Sequence, residues 1–292
     1  MMRVATAPIS WGICDAPDYG YQYPYAEVLD DMQRLGLTAS ELGPVGFFLP
    51  DDAQKARHEL VSRGIEPVGL YVDPVMHTDD GAWKEQLRHT IEFVRDAGAS
   101  TIVLAALPAP LSYTGHSGLS EHEWQTLLGN LDEATAMAAA SGITLAIHPH
   151  LGTLVLTPEE IDRVIAGSKI KFCVDTGHSL AGGNDVVELI HKTGDRLVMV
   201  HMKDARKELF EQVDRGEIDF MTAVERGIFC SLGDGDLPID AIFDALAEID
   251  YDGWIVLEQD AKYANGRPDQ SPAQEVARSL GVVNEQLARL SA

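Results

Sequence analysis

Long hydrophobic runs are missing from this 292-residue chain, and none approaches the roughly 20 apolar residues that a membrane-spanning helix needs. The opening stretch, MMRVATAPISW, has no basic segment followed by an apolar one, so no secretory signal is read there. A cytoplasmic location without a membrane partner is therefore expected. Cysteine is scarce as well: Cys14, Cys173 and Cys230 lie far apart and form no Cys-x-x-Cys pair. That excludes a disulfide framework and a thiolate zinc site. Basic residues are few, 22 against 46 acidic, giving a formal charge of -24. Such a surface repels polyanions instead of releasing their counterions, so nucleic acid is not expected as a partner. No G-x-G-x-x-G follows the first apolar run, which weakens a dinucleotide-binding doubly wound sheet.

Short β-rich apolar runs alternate with longer amphipathic segments. The strand candidates are Val4–Ile9, Thr38–Leu42, Glu66–Val72, Thr101–Ala106, Thr144–Ile147, Lys171–Val174, Leu197–His201 and Trp254–Leu257. Helices are expected at about Pro24–Leu35, Asp51–Arg63, Gly81–Ala97, Ser120–Ala140, Pro158–Ala166, Asp185–Lys192, Pro238–Glu248 and Pro272–Leu290. Their ends are signed. Ser120 with Glu123 has capping-box spacing, Thr157-Pro158 is an N-cap followed by proline, and Gly36, Gly64, Gly98 and Gly142 stand where left-handed C-terminal caps are wanted. Eight strand-plus-helix units of about 36 residues, with strands apolar on both faces, predict an α/β fold closed as a (β/α)₈ TIM barrel. One domain over 1–292 is expected, with an extended loop and helix insertion at about 203–236, where Gly233-Asp234-Gly235-Asp236 ends an irregular stretch. Insertions of that length inside compact domains usually serve as lids or substrate loops.

Catalytic groups of such a barrel stand at the C-terminal ends of its strands. His148, Asp175, His201 and Glu258 each come first after their strand, and neighbouring strands would bring them to one centre. Mixed imidazole and carboxylate donors suit a divalent transition metal, whereas pure oxygen cages point to Mg²⁺ or Ca²⁺. Around them stand Glu41, His150, His178 and Lys203 as candidate acid–base or oxyanion-stabilising groups, with Glu258 able to serve in both sets. Lys203 also has the competing reading of an ion-pair partner for Asp204 or Asp175. Trp11 offers a flat face to a sugar ring, and Asp204 is a candidate for substrate hydroxyls.

These residues sit in motifs: APISWG from Ala7, ELGP from Glu41, HPHLGT from His148, VDTGH from Val174, VHMKD from Val200, SLGDGDLP from Ser231 and YDGWIVLEQD from Tyr251. Together they resemble the sugar phosphate isomerase/epimerase superfamily of xylose isomerase-like barrels, and within it the inosose (2-keto-myo-inositol) dehydratase branch. The resemblance implies a metal-dependent β-elimination of water from a cyclic polyhydroxy ketone, with Mn²⁺ or Co²⁺ as the first choice of metal and Zn²⁺, Fe²⁺ or Mg²⁺ as alternatives. It also implies a small cyclitol or keto-sugar as partner and allows a homo-oligomer. The superfamily's usual ligand set is Glu, Asp, His and Glu; here Asp175, His201 and Glu258 match, but His148 stands in the first glutamate's place. Losing one of that pair argues against simple epimerisation, and either His148 or His150 could complete the set. Isomerisation or epimerisation of a keto sugar, elimination from a 3-keto-glycoside and a non-catalytic sugar-binding barrel stay open as alternatives. Phosphodiester hydrolysis is disfavoured by the acidic balance.

Overall fold

In a computed structural model that describes residues 2–108, 118–269 and 271–291, the strand–helix alternation takes the following form. The first half contains β1 (Arg3–Thr6), α1 (Tyr25–Arg34), β2 (Ala39–Ser40), α2 (Ala53–Val61), β3 (Glu66–Pro67), β4 (Gly69–Val72), α3 (Trp83–Ala97), β5 (Thr101–Leu104) and α4 (Glu121–Ala139). The second half begins with β6 (Thr144–Ile147), α5 (Pro158–Gly167), β7 (Lys171–Asp175), α6 (Thr176–Ala181), α7 (Val186–Thr193) and β8 (Leu197–Met202). It continues with β9 (Asp204–Ala205), α8 (Lys207–Asp214), α9 (Phe220–Glu225), β10 (Phe229–Cys230), α10 (Ile239–Glu248), β11 (Trp254–Leu257) and α11 (Ala273–Leu290).

The large sheet runs in the order β3-β2-β1-β11-β8-β7-β6-β5-β4 and its pairings are parallel. Its two ends are halves of one extended segment. Glu66–Pro67 pairs with β2 and Gly69–Val72 with β5, while Val68 between them donates to Ser40 O at 3.0 Å. The ring therefore closes as an eight-stranded barrel, the predicted (β/α)₈ fold.

Local chemistry accounts for where elements start and stop. Both capping boxes form, Ser120 with Glu123 and Thr157 with Glu160. The four cap glycines all adopt positive φ, the region where a Cβ is penalised. The first strand stops at Thr6, short of the expected Ile9, because Pro8 has no N–H for a ladder and opens a 3-10 turn over Pro8–Trp11. The second strand shrinks to Ala39–Ser40, though Glu41 N still donates to Thr6 O and Leu42 N to Gly69 O. Segment 203–236 is more ordered than expected: an antiparallel β9–β10 ribbon carries α8 and α9 between its strands.

The core has two parts. Between strands and helices lies a large layer of aliphatic and aromatic side chains. Inside the barrel lies a narrow plug that includes Ala39, Ala146, Cys173, Met199 and Val256. Side chains on a strand repeat every second residue, so the positions two further along, Glu41, His148, Asp175, His201 and Glu258, also point inward, one layer higher. The small plug residues thus form the floor on which the polar layer stands. No described helix is long and apolar enough to cross a membrane.

Candidate metal centre and active-site cavity

Above that floor opens a cavity of about 290 Å³, walled by His148, His150, His178, Glu41, Glu258 and Asp260 on its polar side. Apolar wall comes from Pro8, Ile13 and Pro44 and from Phe220, Met221 and Val224 of α9. Segment 203–236 thus contributes directly to the cavity wall. Among the described lining residues none is Lys or Arg.

Asp175 shows how backbone geometry aims a side chain. It ends β7 and caps α6, with Oδ1 accepting from His178 N at 2.7 Å, which turns Oδ2 into the barrel. There it meets donors from three other strands, β6, β8 and β11: one atom each from His148, Asp175, His201 and Glu258 lies within 4.8 Å of the others, so these four could hold a metal ion. Three atoms of the group, Asp175 Oδ2, His201 Nδ1 and Glu258 Oε2, are buried without a hydrogen bond among the described residues. They are close to partners, His201 Nδ1 to Glu258 Oε2 at 2.8 Å and Lys203 Nζ to both oxygens at 3.0 Å, yet none of these contacts has hydrogen-bond direction. Buried polar atoms left unpaired cost free energy, and a cation at their common focus would satisfy all three. Three carboxylates, Asp175, Glu258 and Asp260, surround the single Lys203 ammonium, so the charge balance also fits a divalent ion.

Titration follows from the same packing. Burial lowers His148 well below the ordinary histidine value, helped by His201 and His150; burial likewise lowers His150 and His178. All three are neutral imidazoles with a lone pair to offer. Burial works against the charged form of His201 too, but the carboxylates of Glu258 and Glu41 beside it outweigh burial and hold it well above the ordinary histidine value. Burial also opposes the Lys203 ammonium, and Asp175, Asp260 and Glu258 overcome it. Burial pushes Asp175 up to about 7 despite Lys203, whereas His201 and Lys203 hold Glu258 well below the usual range against its own burial. The Cys173 thiol, pushed up to about 11 by burial, belongs to the barrel floor and stays protonated.

The contacts also fix tautomers. His150 Nδ1 lies 2.7 Å from Leu151 O, so it carries the hydrogen and leaves Nε2 as the basic nitrogen. His148 Nδ1 faces Cys173 O at 3.4 Å, again leaving Nε2 for the centre. The rings of His150 and His178 are 3.8 Å apart, and Lys203 Nζ stands 3.5 Å from His178 Nε2.

Residues 29–284 match the family described as the xylose isomerase-like TIM barrel. The chain belongs to that family. It is 34% identical over 280 residues to an inosose dehydratase of Geobacillus kaustophilus, covering 91% of this chain and 90% of that protein. Among solved structures, the IOLI protein with a binding zinc atom superposes with a TM-score of 0.75 at 14% identity, covering 99% of both chains. L-ribulose 3-epimerase superposes at 0.74 with 18% identity, covering 100% of this chain and 96% of that one. At such identities these two likenesses speak for the fold alone.

In this xylose isomerase-like barrel the sequence-expected site residues divide. His148, Asp175, His201, Glu258, Glu41, His150 and His178 converge at one mouth. Lys203 is adjacent, but it is 1% exposed and lies behind the wall, with Nζ 2.5 Å from Asp260 Oδ2. It reaches the cavity through the lining residues Asp260, His178 and Glu258. Trp11 is a correction: it is wholly buried in the core and its Nε1 donates to Asp31 Oδ2 at 3.1 Å, so its face is not offered to a sugar. Asp204 is another. Its buried carboxylate accepts from Ala205 N and Leu237 N on Oδ1 and from Gly233 N and Gly235 N on Oδ2, at 2.8–3.1 Å, and it has no capacity left for substrate hydroxyls. Sequence reasoning missed Asp260, Tyr71 and Asp73 as lining residues. Asp260 was signalled by standing two positions after Glu258. Asp73, pushed up to about 6 by burial and by Asp15, follows β4 without any motif.

Proposed function

We propose that this barrel is a carbon–oxygen lyase, a metal-dependent dehydratase that eliminates water from a cyclic polyhydroxy ketone such as 2-keto-myo-inositol. The observation that carries the reading is the convergence of His148, Asp175, His201 and Glu258 on a cavity whose wall also holds the neutral His150–His178 pair. The inosose dehydratase relatives support the substrate class. A cavity of about 290 Å³ lies at the lower end of the range for small-molecule sites, which favours a single ring over a glycoside.

His148, Asp175, His201 and Glu258 would hold the ion; imidazole with carboxylate suits Mn²⁺ or Co²⁺, with Zn²⁺ also compatible. When bound, it supplies positive charge beside the ketone oxygen, which eases loss of the neighbouring proton. His150 Nε2, fixed as the basic nitrogen, takes that proton as the C–H bond breaks. The electron pair moves into the new carbon–carbon double bond as the β C–O bond breaks. The imidazolium so formed on His150 passes that proton to the departing hydroxyl, with the neutral His178 ring 3.8 Å away to relay it, so that water leaves and both imidazoles return to their starting form. Each such group is worth about 10² to 10⁴ in rate. Without a second glutamate at position 148, the carboxylate pair that would move protons on opposite faces of a sugar is absent, which favours elimination over epimerisation.

The test is a proton NMR time course in D₂O of Mn²⁺-loaded protein with 2-keto-myo-inositol. The expected result is loss of the ketone with formation of the dehydrated diketone. Deuterium entry beside the carbonyl without loss of water would replace the reading by isomerisation or epimerisation. No change in the spectrum would reject this substrate.

A further inference from the structure

Among the described residues, Glu41 is the one buried carboxylate at the mouth that belongs neither to the ligand group nor to the Lys203 cluster. Its place is built. The backbone N–H of Glu41 continues the ladder to Thr6 O at 2.9 Å, and Ser40 Oγ donates to its carbonyl at 2.8 Å. On the facing strand, Gly69 leaves room: a Cβ there would lie 3.3 Å from Glu41 Oε1. The oxygen so accommodated stands 3.2 Å from His201 Nε2.

His201 therefore has its two nitrogens in different company. Nδ1 faces the ligand oxygens, Glu258 Oε2 at 2.8 Å and Asp175 Oδ2 at 4.0 Å, while Nε2 faces Glu41. An imidazole can ligate through Nδ1 only if the proton sits on Nε2, and Glu41 is the acceptor that keeps it there. Outer carboxylates of this type fix the tautomer and ring orientation of a ligating histidine and raise its basicity. We infer that Glu41 is a positioning residue that acts through His201: it holds the imidazole in the Nε2–H form with Nδ1 aimed at the metal, and it is not the base that meets the substrate. The inference rests on the proposed metal site. It goes beyond it by assigning the partner that gives His201 its tautomer.

The experiment is titration of the full-length protein with Co²⁺, followed by calorimetry and by the visible spectrum of the bound ion, for wild type, Glu41→Ala and Glu41→Gln. Circular dichroism checks that each is folded. Glu41→Ala is expected to weaken Co²⁺ binding about 10- to 100-fold and to change the spectrum. Glu41→Gln keeps an oxygen that accepts from Nε2–H, so it should recover most of the affinity even if the alanine variant folds poorly. Wild-type affinity and an unchanged spectrum in both variants would overturn the role of Glu41 while leaving the metal site standing. Failure of the wild type to bind Co²⁺ would overturn both.

Discussion

A lysine with no exposure gives the sharpest prediction at the scale of single residues. Lys203 Nζ lies within 3.0 Å of carboxylate oxygens from Asp175, Glu258 and Asp260, and the Phe229 ring covers it with its centroid 4.9 Å away. Removing one partner of a buried ion cluster leaves charge without compensation, which typically costs about 3–5 kcal/mol. Lys203→Met should therefore unfold at a lower urea concentration when metal-free, and excess Mn²⁺ should recover part of the loss by neutralising the same carboxylates. Equal midpoints for variant and wild type would show that the cluster carries no such stress. What was legible in the sequence at this scale was chemistry at strand ends, because period-2 alternation alone aims His148, Asp175, His201 and Glu258 inward. Trp11 was misread because its orientation depends on Asp31 of α1, a partner that no local pattern reveals. Lys203 shares the inward face of His201, yet which side of the cavity wall it occupies is set by Asp260 from another strand.

The scale of elements is where Asp204 belongs. Four backbone N–H groups, one from Ala205 of β9 and three from Gly233 to Leu237, converge on its carboxylate, so one side chain ties both ends of segment 203–236 together. Gly235 has to be glycine for packing, since a Cβ there would collide with that carboxylate. Hydrogen bonds to a charged acceptor contribute about 1.5–3 kcal/mol each when they are lost singly. Asp204→Ala should therefore free the segment that carries α8 and the α9 wall. Limited proteolysis between Arg206 and Arg226 should be at least roughly tenfold faster than in wild type, equal to about 1.4 kcal/mol of easier opening. Co²⁺ affinity should stay within about twofold, because no metal donor is touched. Unchanged cleavage would mean that the antiparallel β9–β10 ribbon alone holds the segment. The run SLGDGDLP betrayed a turn in the sequence, but it could not show that its amides wrap around a residue some thirty positions earlier.

For the whole molecule, the barrel was legible because eight repeats of one strand–helix cadence leave few topologies, and the closing pair was not, because Glu66–Val72 read as one strand pairs with different neighbours along its length. Two large electrostatic terms act on this fold together: self-repulsion from a net charge of -24 and the packed carboxylates at the mouth. Salt and metal separate them. A ligand that binds only the folded state at a free concentration 100 times its Kd adds about 2.7 kcal/mol, which for a domain of this size is roughly 5–10 °C in Tm. Mn²⁺ should raise the wild-type Tm by that order and a chelator should reverse it. Asp175→Asn, which retains the oxygen that caps α6 but loses the charge, should show little or no Mn²⁺ shift. Sodium chloride, by screening the surface, should raise both proteins alike. A Mn²⁺ shift of equal size in wild type and Asp175→Asn would assign the effect to the acidic surface and remove the support that metal-linked stability lends to the centre.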